Sequence, residues 1–94
     1  MFSWLPKPDW ERAKSKIEEV FEIVKKKNQD YGSSIAFTGK AGLGSRLVDK
    51  AYRFLNIALS GNHNFEAEED SIKDLIGYCI LYYAYKIDEE KEGF

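Results

Sequence analysis

Apolar side chains recur at intervals of three and four in three separate stretches of this chain, and nowhere do they alternate at every second residue. Intervals of three and four collect on one face of an α-helix, whereas alternation collects on one face of a strand. The pattern therefore predicts an all-α fold with three main amphipathic helices. Trp10, Ala13, Ile17, Val20, Phe21 and Val24 make the first stripe. Asp9 is placed to cap that helix, Lys25, Lys26 and Lys27 suit its negative end, and Gly32 offers a left-handed stop, so the helix is expected to close between residues 28 and 31. The second stripe is Leu47, Val48, Ala51, Phe54, Leu55 and Ala58, with Arg46, Asp49, Lys50 and Arg53 opposite, in a helix capped by Ser45 and reaching Leu59. The third is Ile72, Leu75, Ile76, Cys79, Ile80, Tyr83 and Ile87, in a helix expected from near Phe65 to about Asp88.

Residues 32–44 hold Gly32, Gly39, Gly42 and Gly44 among Ser33, Ser34 and Thr38. They read as a Gly-rich, irregular connector between the first two helices. Loops of about a dozen residues are uncommon in compact domains unless they serve a function. Pro6 and Pro8 hold residues 1–8 extended as an aromatic arm, and the acidic residues 89–94 are expected to fray. A chain of 94 residues makes a single domain. Three helices of this size bury only about 60–65% of the unfolded surface, so the small bundle is expected to be completed by oligomerisation, with Trp4, Tyr78, Tyr82 and Tyr85 suited to an interface.

Fourteen basic and sixteen acidic side chains leave a net charge of −2, which gives no field to gather a polyanion; direct nucleic-acid binding is not expected. The chain contains no apolar run long enough for a bilayer and no signal-peptide layout at its start, so membrane association is not expected and a cytoplasmic location is, in a host cell if the gene is viral. Cys79 is the only cysteine and reads as a small buried hydrophobe.

The polar residues divide into blocks. Glu66, Asp70 and Asp74 recur every four residues, so three carboxylates stack along one helical line. Like charges at that spacing repel, and the row asks for a cation, either a metal or a basic side chain. Mg2+ takes oxygen ligands and is often held by one or two carboxylates together with substrate phosphates. On the second helix Arg46 and Arg53 frame Asp49, which could add to the acidic stripe if the two helices are antiparallel neighbours; the same residues could equally form surface ion pairs worth about 0–1 kcal/mol each. Asn28 falls on the apolar line of Trp10 and Phe21, where an amide needs a hydrogen-bond partner, unless it simply ends the helix beside Asp30 and Gly32. Gly39-Lys40-Ala41-Gly42-Leu43-Gly44-Ser45 has a partial likeness to a phosphate loop, without the full pattern or its preceding strand. Glu18, Glu19 and Glu22 lie off the apolar stripe and read as solvated, and His63 reads as an exposed loop residue.

Taken in order, Lys27-Asn28-x-Asp30-Tyr31-Gly32, Arg46-Leu47-x-Asp49-Lys50-x-x-Arg53 and Glu66-x-x-x-Asp70-x-x-x-Asp74-Leu75-x-x-Tyr78 resemble the nucleotide-modification-associated domain family of phages and bacteria. That family is more distantly similar to the all-α nucleoside triphosphate pyrophosphohydrolases of the MazG and dimeric dUTPase kind. The chain departs from the latter in lacking their ExxE and ExxD pair, and from the former in having Gly77 where Asn is common. The resemblance implies a site at Asn28, Asp30, Tyr31, Arg46, Asp49, Arg53, Glu66, Asp70 and Asp74.

The expectation is thus a Mg2+-dependent nucleotide-binding or pyrophosphohydrolase-like protein, acting as a homodimer or higher homo-oligomer. Asp49, Glu66, Asp70 and Asp74 would hold metal, with Asp49 and Asp70 as the catalytic carboxylates. Arg46, Lys50 and Arg53 would meet phosphates, and Asn28, Asp30 and Tyr31 would contact the rest of the nucleotide. The alternative is a noncatalytic, homo-oligomeric helical interaction module of a virus or mobile element, its polar blocks serving only to tie helices together through pairs such as Asp49–Arg53 and Asp70–Arg46.

Overall fold

A computed structural model describes residues 6–31, 34–61 and 65–89, with the backbone alone for residues 29–31. Three helices, α1 (Trp10–Tyr31), α2 (Ser34–Ser60) and α3 (Phe65–Ala84), are followed by the single 3-10 turn η1 (Ile87–Glu89). The all-α class expected from the periodicity is the one observed, and the described residues contain no strand. No helix among them is long and apolar enough to cross a membrane. The aromatic arm up to residue 5, Gly32, His63 and the tail beyond Glu89 lie outside the described residues.

Asp9 caps α1 as expected: its Oδ1 accepts the Arg12 backbone N–H at 3.0 Å, and its carbonyl accepts that of Ala13 at 3.1 Å. The helix runs through to Tyr31, so the three lysines at 25–27 fall a turn before its end.

The expected irregular connector is helical from Ser34 onward, and Ser45 lies inside α2 rather than at its start. One residue breaks the ladder: Gly39, at φ 66° and ψ −147°, kinks the helix in a conformation that side chains disfavour. Helical glycines cost up to about 1 kcal/mol each. Burial of Ile35 and Leu43, four residues either side of Gly39, contributes about 1.5–3 kcal/mol apiece and outweighs that penalty.

The third helix ends four residues earlier than its apolar pattern suggests. Lys86 adopts a left-handed φ of 56°, which turns the chain back and buries Ile87 at 2% exposure against Ile35 and Leu43. Burial of Ile87 thus comes from this reversal and not from a longer helix.

Both α1 and α2 pack on α3. The α1 contact runs in the same direction as α3, with Lys16 paired to Glu69 at 3.9 Å and Glu19 to Lys73 at 3.3 Å. Glu19, expected to be merely solvated, therefore helps join two helices. Gly77 permits the close approach: a Cβ placed there would meet Val24 Cγ2 at 3.1 Å. Ser71, fully buried on α3, satisfies its hydroxyl by donating to the Ala67 carbonyl at 3.0 Å.

The buried faces differ from the expected stripes. On α1 Val20 is buried, but Trp10, Ile17 and Phe21 are exposed. Beyond Ser45 the half-buried positions of α2 are Leu47, Lys50, Phe54 and Ile57, while Val48, Ala51, Leu55 and Ala58 face solvent. Cys79 and Tyr83 of α3 are also exposed, so the cysteine is not the core hydrophobe expected.

Candidate functional site

Because α1 and α2 meet α3 on different sides, a cleft opens between them with α3 as its floor. It has a volume of about 590 Å³ and is bounded by residues of all three helices. That size falls within the range of small-ligand sites, roughly 300–1,000 Å³. Val20, Ile23, Val24 and Leu81 give it apolar walls. Its polar groups are Lys27 and Asn28 from α1, Arg53 from α2, and Asp70, Lys73, Asp74 and Tyr78 from α3.

Four of the residues singled out from sequence thus come together: Asn28, Arg53, Asp70 and Asp74. Asn28 finds the partner its position demanded, donating from Nδ2 to the Tyr85 hydroxyl at 2.6 Å across 57 residues of chain. Asp70 and Asp74 share the cleft because they are one turn apart on α3. Lys50 stands beside it, with Nζ 3.0 Å from Asp74 Oδ2.

Other expected residues stand apart from this group. Arg46, Asp49 and Glu66 are exposed and do not line the cleft. The side chains of Asp30 and Tyr31 lie outside the described residues. Among the described residues no three His, Cys, Asp or Glu side chains gather closely enough to hold a metal ion between them. Of the two kinds of cation the acidic row could take, a basic side chain stands at Asp74: the Lys50 ammonium.

Sequence reasoning left Lys27, Lys73 and Tyr85 out of the site, taking Lys27 as a partner of the helix dipole and Tyr85 as an interface residue. Lys73 follows Asp70 by three positions, a spacing that places the two on one side of a helix and could have marked it. Tyr85 follows α3 and is brought to Asn28 only by the fold, so no local signal points to it.

Three cations and two carboxylates line the cleft. Asp74 is matched by Lys50 and Lys73 by Glu19. Lys27 and Arg53 hold no ion-pair partner among the described residues. The site therefore presents a guanidinium and an ammonium toward a space with apolar walls. Such a combination suits a ligand with an anionic end and a flat or apolar body. No family model, curated protein or solved structure matches the chain.

Proposed function

We propose that this protein binds a nucleotide in the cleft between α1, α2 and α3, with Mg2+ carried in alongside the phosphates. The observation that supports this most is the joining of Lys27 and Arg53, both without ion-pair partners among the described residues, to the Asp70–Asp74 pair in one cleft of about 590 Å³. Arg53 would grip phosphate oxygens through its planar fork and Lys27 would add a point charge. Asn28, held by Tyr85, and the phenol of Tyr78 would meet the base or sugar.

Two carboxylates one turn apart fit Mg2+ in the mode where phosphates and water complete its shell, not as an all-protein cage. When bound, Mg2+ would neutralise phosphate charge and stabilise the charge that develops on it. Asp70, the cleft carboxylate without an ion-pair partner among the described residues, is the group to orient a water and accept its proton if the nucleotide is cleaved between phosphates. That reaction is the one the resemblance to pyrophosphohydrolases implies.

A panel of dNTPs with Mg2+, read by thermal shift and by pyrophosphate release, tests the proposal. The native chain should be stabilised by at least one nucleotide, and Arg53→Ala should abolish the shift. Absence of any shift or release across the panel would remove the nucleotide reading.

The rival reading, a noncatalytic module, draws on the interhelical pairs Lys50–Asp74 and Lys73–Glu19, which do tie helices together. Under it Asp74→Asn lowers stability and nothing else.

A further inference from the structure

The second helix carries two apolar stripes, and the fold uses one. Leu47, Lys50, Phe54 and Ile57 turn toward α3, whereas Val48, Tyr52, Leu55 and Leu59 stand 66%, 64%, 50% and 76% exposed. At 100° per residue the two stripes are about 150° apart, on nearly opposite sides of the helix. A helix that is apolar on both sides is normally covered on both.

We infer that Val48, Tyr52, Leu55 and Leu59 form a homodimer seam, in which α2 of one copy packs antiparallel to α2 of another. The steps between them, four, three and four residues, are those of a coiled-coil seam, which a matching helix fills by knobs-into-holes packing. A two-fold axis crossing α2 between Arg53 and Phe54 sets Val48 opposite the partner's Leu59 and Tyr52 opposite the partner's Leu55. Each layer then combines unlike side chains, whereas a parallel pairing would stack ring on ring at Tyr52 and leave two small valines at Val48. Antiparallel helix dipoles also oppose favourably. On one flank Ala51 meets the partner's Ala58, small enough for close approach; on the other Asp49 lies nearest the partner's neutral Asn56. No charge faces its like.

This inference gives a surface to the self-association expected from the chain's size. It does not rest on nucleotide binding: Lys27, Asp70 and Asp74 are on other helices, and Arg53, the one cleft residue on α2, projects about 130° away from the seam. Sedimentation velocity on the native chain should give twice 10.9 kDa. Val48→Lys alone and Leu59→Glu alone should each weaken dimerisation about 100-fold or more, since symmetry places every substitution in the interface twice. The double variant Val48→Lys/Leu59→Glu should restore the dimer, as each lysine then faces the partner's glutamate, and recovery would count even if one single variant failed to fold. A monomeric native chain, undiminished dimers in both single variants, or a double variant that stays monomeric would each overturn the inference. Thermal shift with Mg2+ and dNTPs on the same samples keeps the fate of the cleft separate from that of the seam.

Discussion

Lys50 Nζ lies 3.0 Å from Asp74 Oδ2, so one of the two carboxylates in the cleft already faces a cation from another helix. A bound metal would have to share Asp74 with that ammonium or displace it. The side chains are 27% and 42% exposed, and water screens a pair so placed to about 0–1 kcal/mol. We expect Asp74→Asn to lower the melting temperature by no more than about 4–8 °C, the equivalent of about 1 kcal/mol in a domain of this size. It should also remove any Mg2+-dependent stabilisation by nucleotide. Melts with and without Mg2+ and dNTP check both halves; a large loss of stability with the Mg2+ response intact would favour the structural role.

Tyr85→Phe strands the Asn28 amide in a part-buried position by removing its acceptor. The expected cost is about 1–3 kcal/mol, read by urea denaturation. Asn28→Ala removes the other partner, so the double variant should cost less than the sum of the two single ones. Strict additivity would show that the bond does not form in solution.

Gly77 faces Val24 between α3 and α1, and a Cβ there falls 3.1 Å from Val24 Cγ2. Gly77→Ala trades this crowding against a helix-propensity gain of about 1 kcal/mol and should be close to neutral. Gly77→Leu should destabilise by about 1–3 kcal/mol, because the side chain must push α1 away from α3. Equal stability of the leucine variant in chemical denaturation would mean that the two helices are not so close.

The same substitution should have opposite signs at two glycines of α2. Gly39→Ala places a side chain at φ 66° and ψ −147°, a strained conformation costing about 1–3 kcal/mol. Gly44→Ala sits in helix with nothing within 4 Å of the new Cβ and should stabilise by up to about 1 kcal/mol. Denaturant midpoints of the two variants, measured side by side, decide the point. A stabilising Gly39→Ala would show that α2 runs straight through the kink.

Local chemistry in the chain determined the helical class, the Asp9 cap, the approximate ends of α1 and the need of Asn28 for a hydrogen-bond partner. Each depends on residues within a turn or two, or on the cost of leaving one polar group unpaired. The cleft was half legible: Asp70, Lys73 and Asp74 share it through helical spacing alone, but Arg53 joins them only because α2 packs on α3. The tertiary structure also decided which side of α2 is buried. Periodicity states which residues share a face, and α2 has two apolar faces, so Leu47, Phe54 and Ile57 were chosen over Val48, Leu55 and Leu59 by the position of α3. The same holds for residues 34–44, where glycine composition argues for a loop and the burial of Ile35 and Leu43 against Ile87 makes a helix. That contact joins residues more than forty positions apart, and its contribution exists only once the chain has folded.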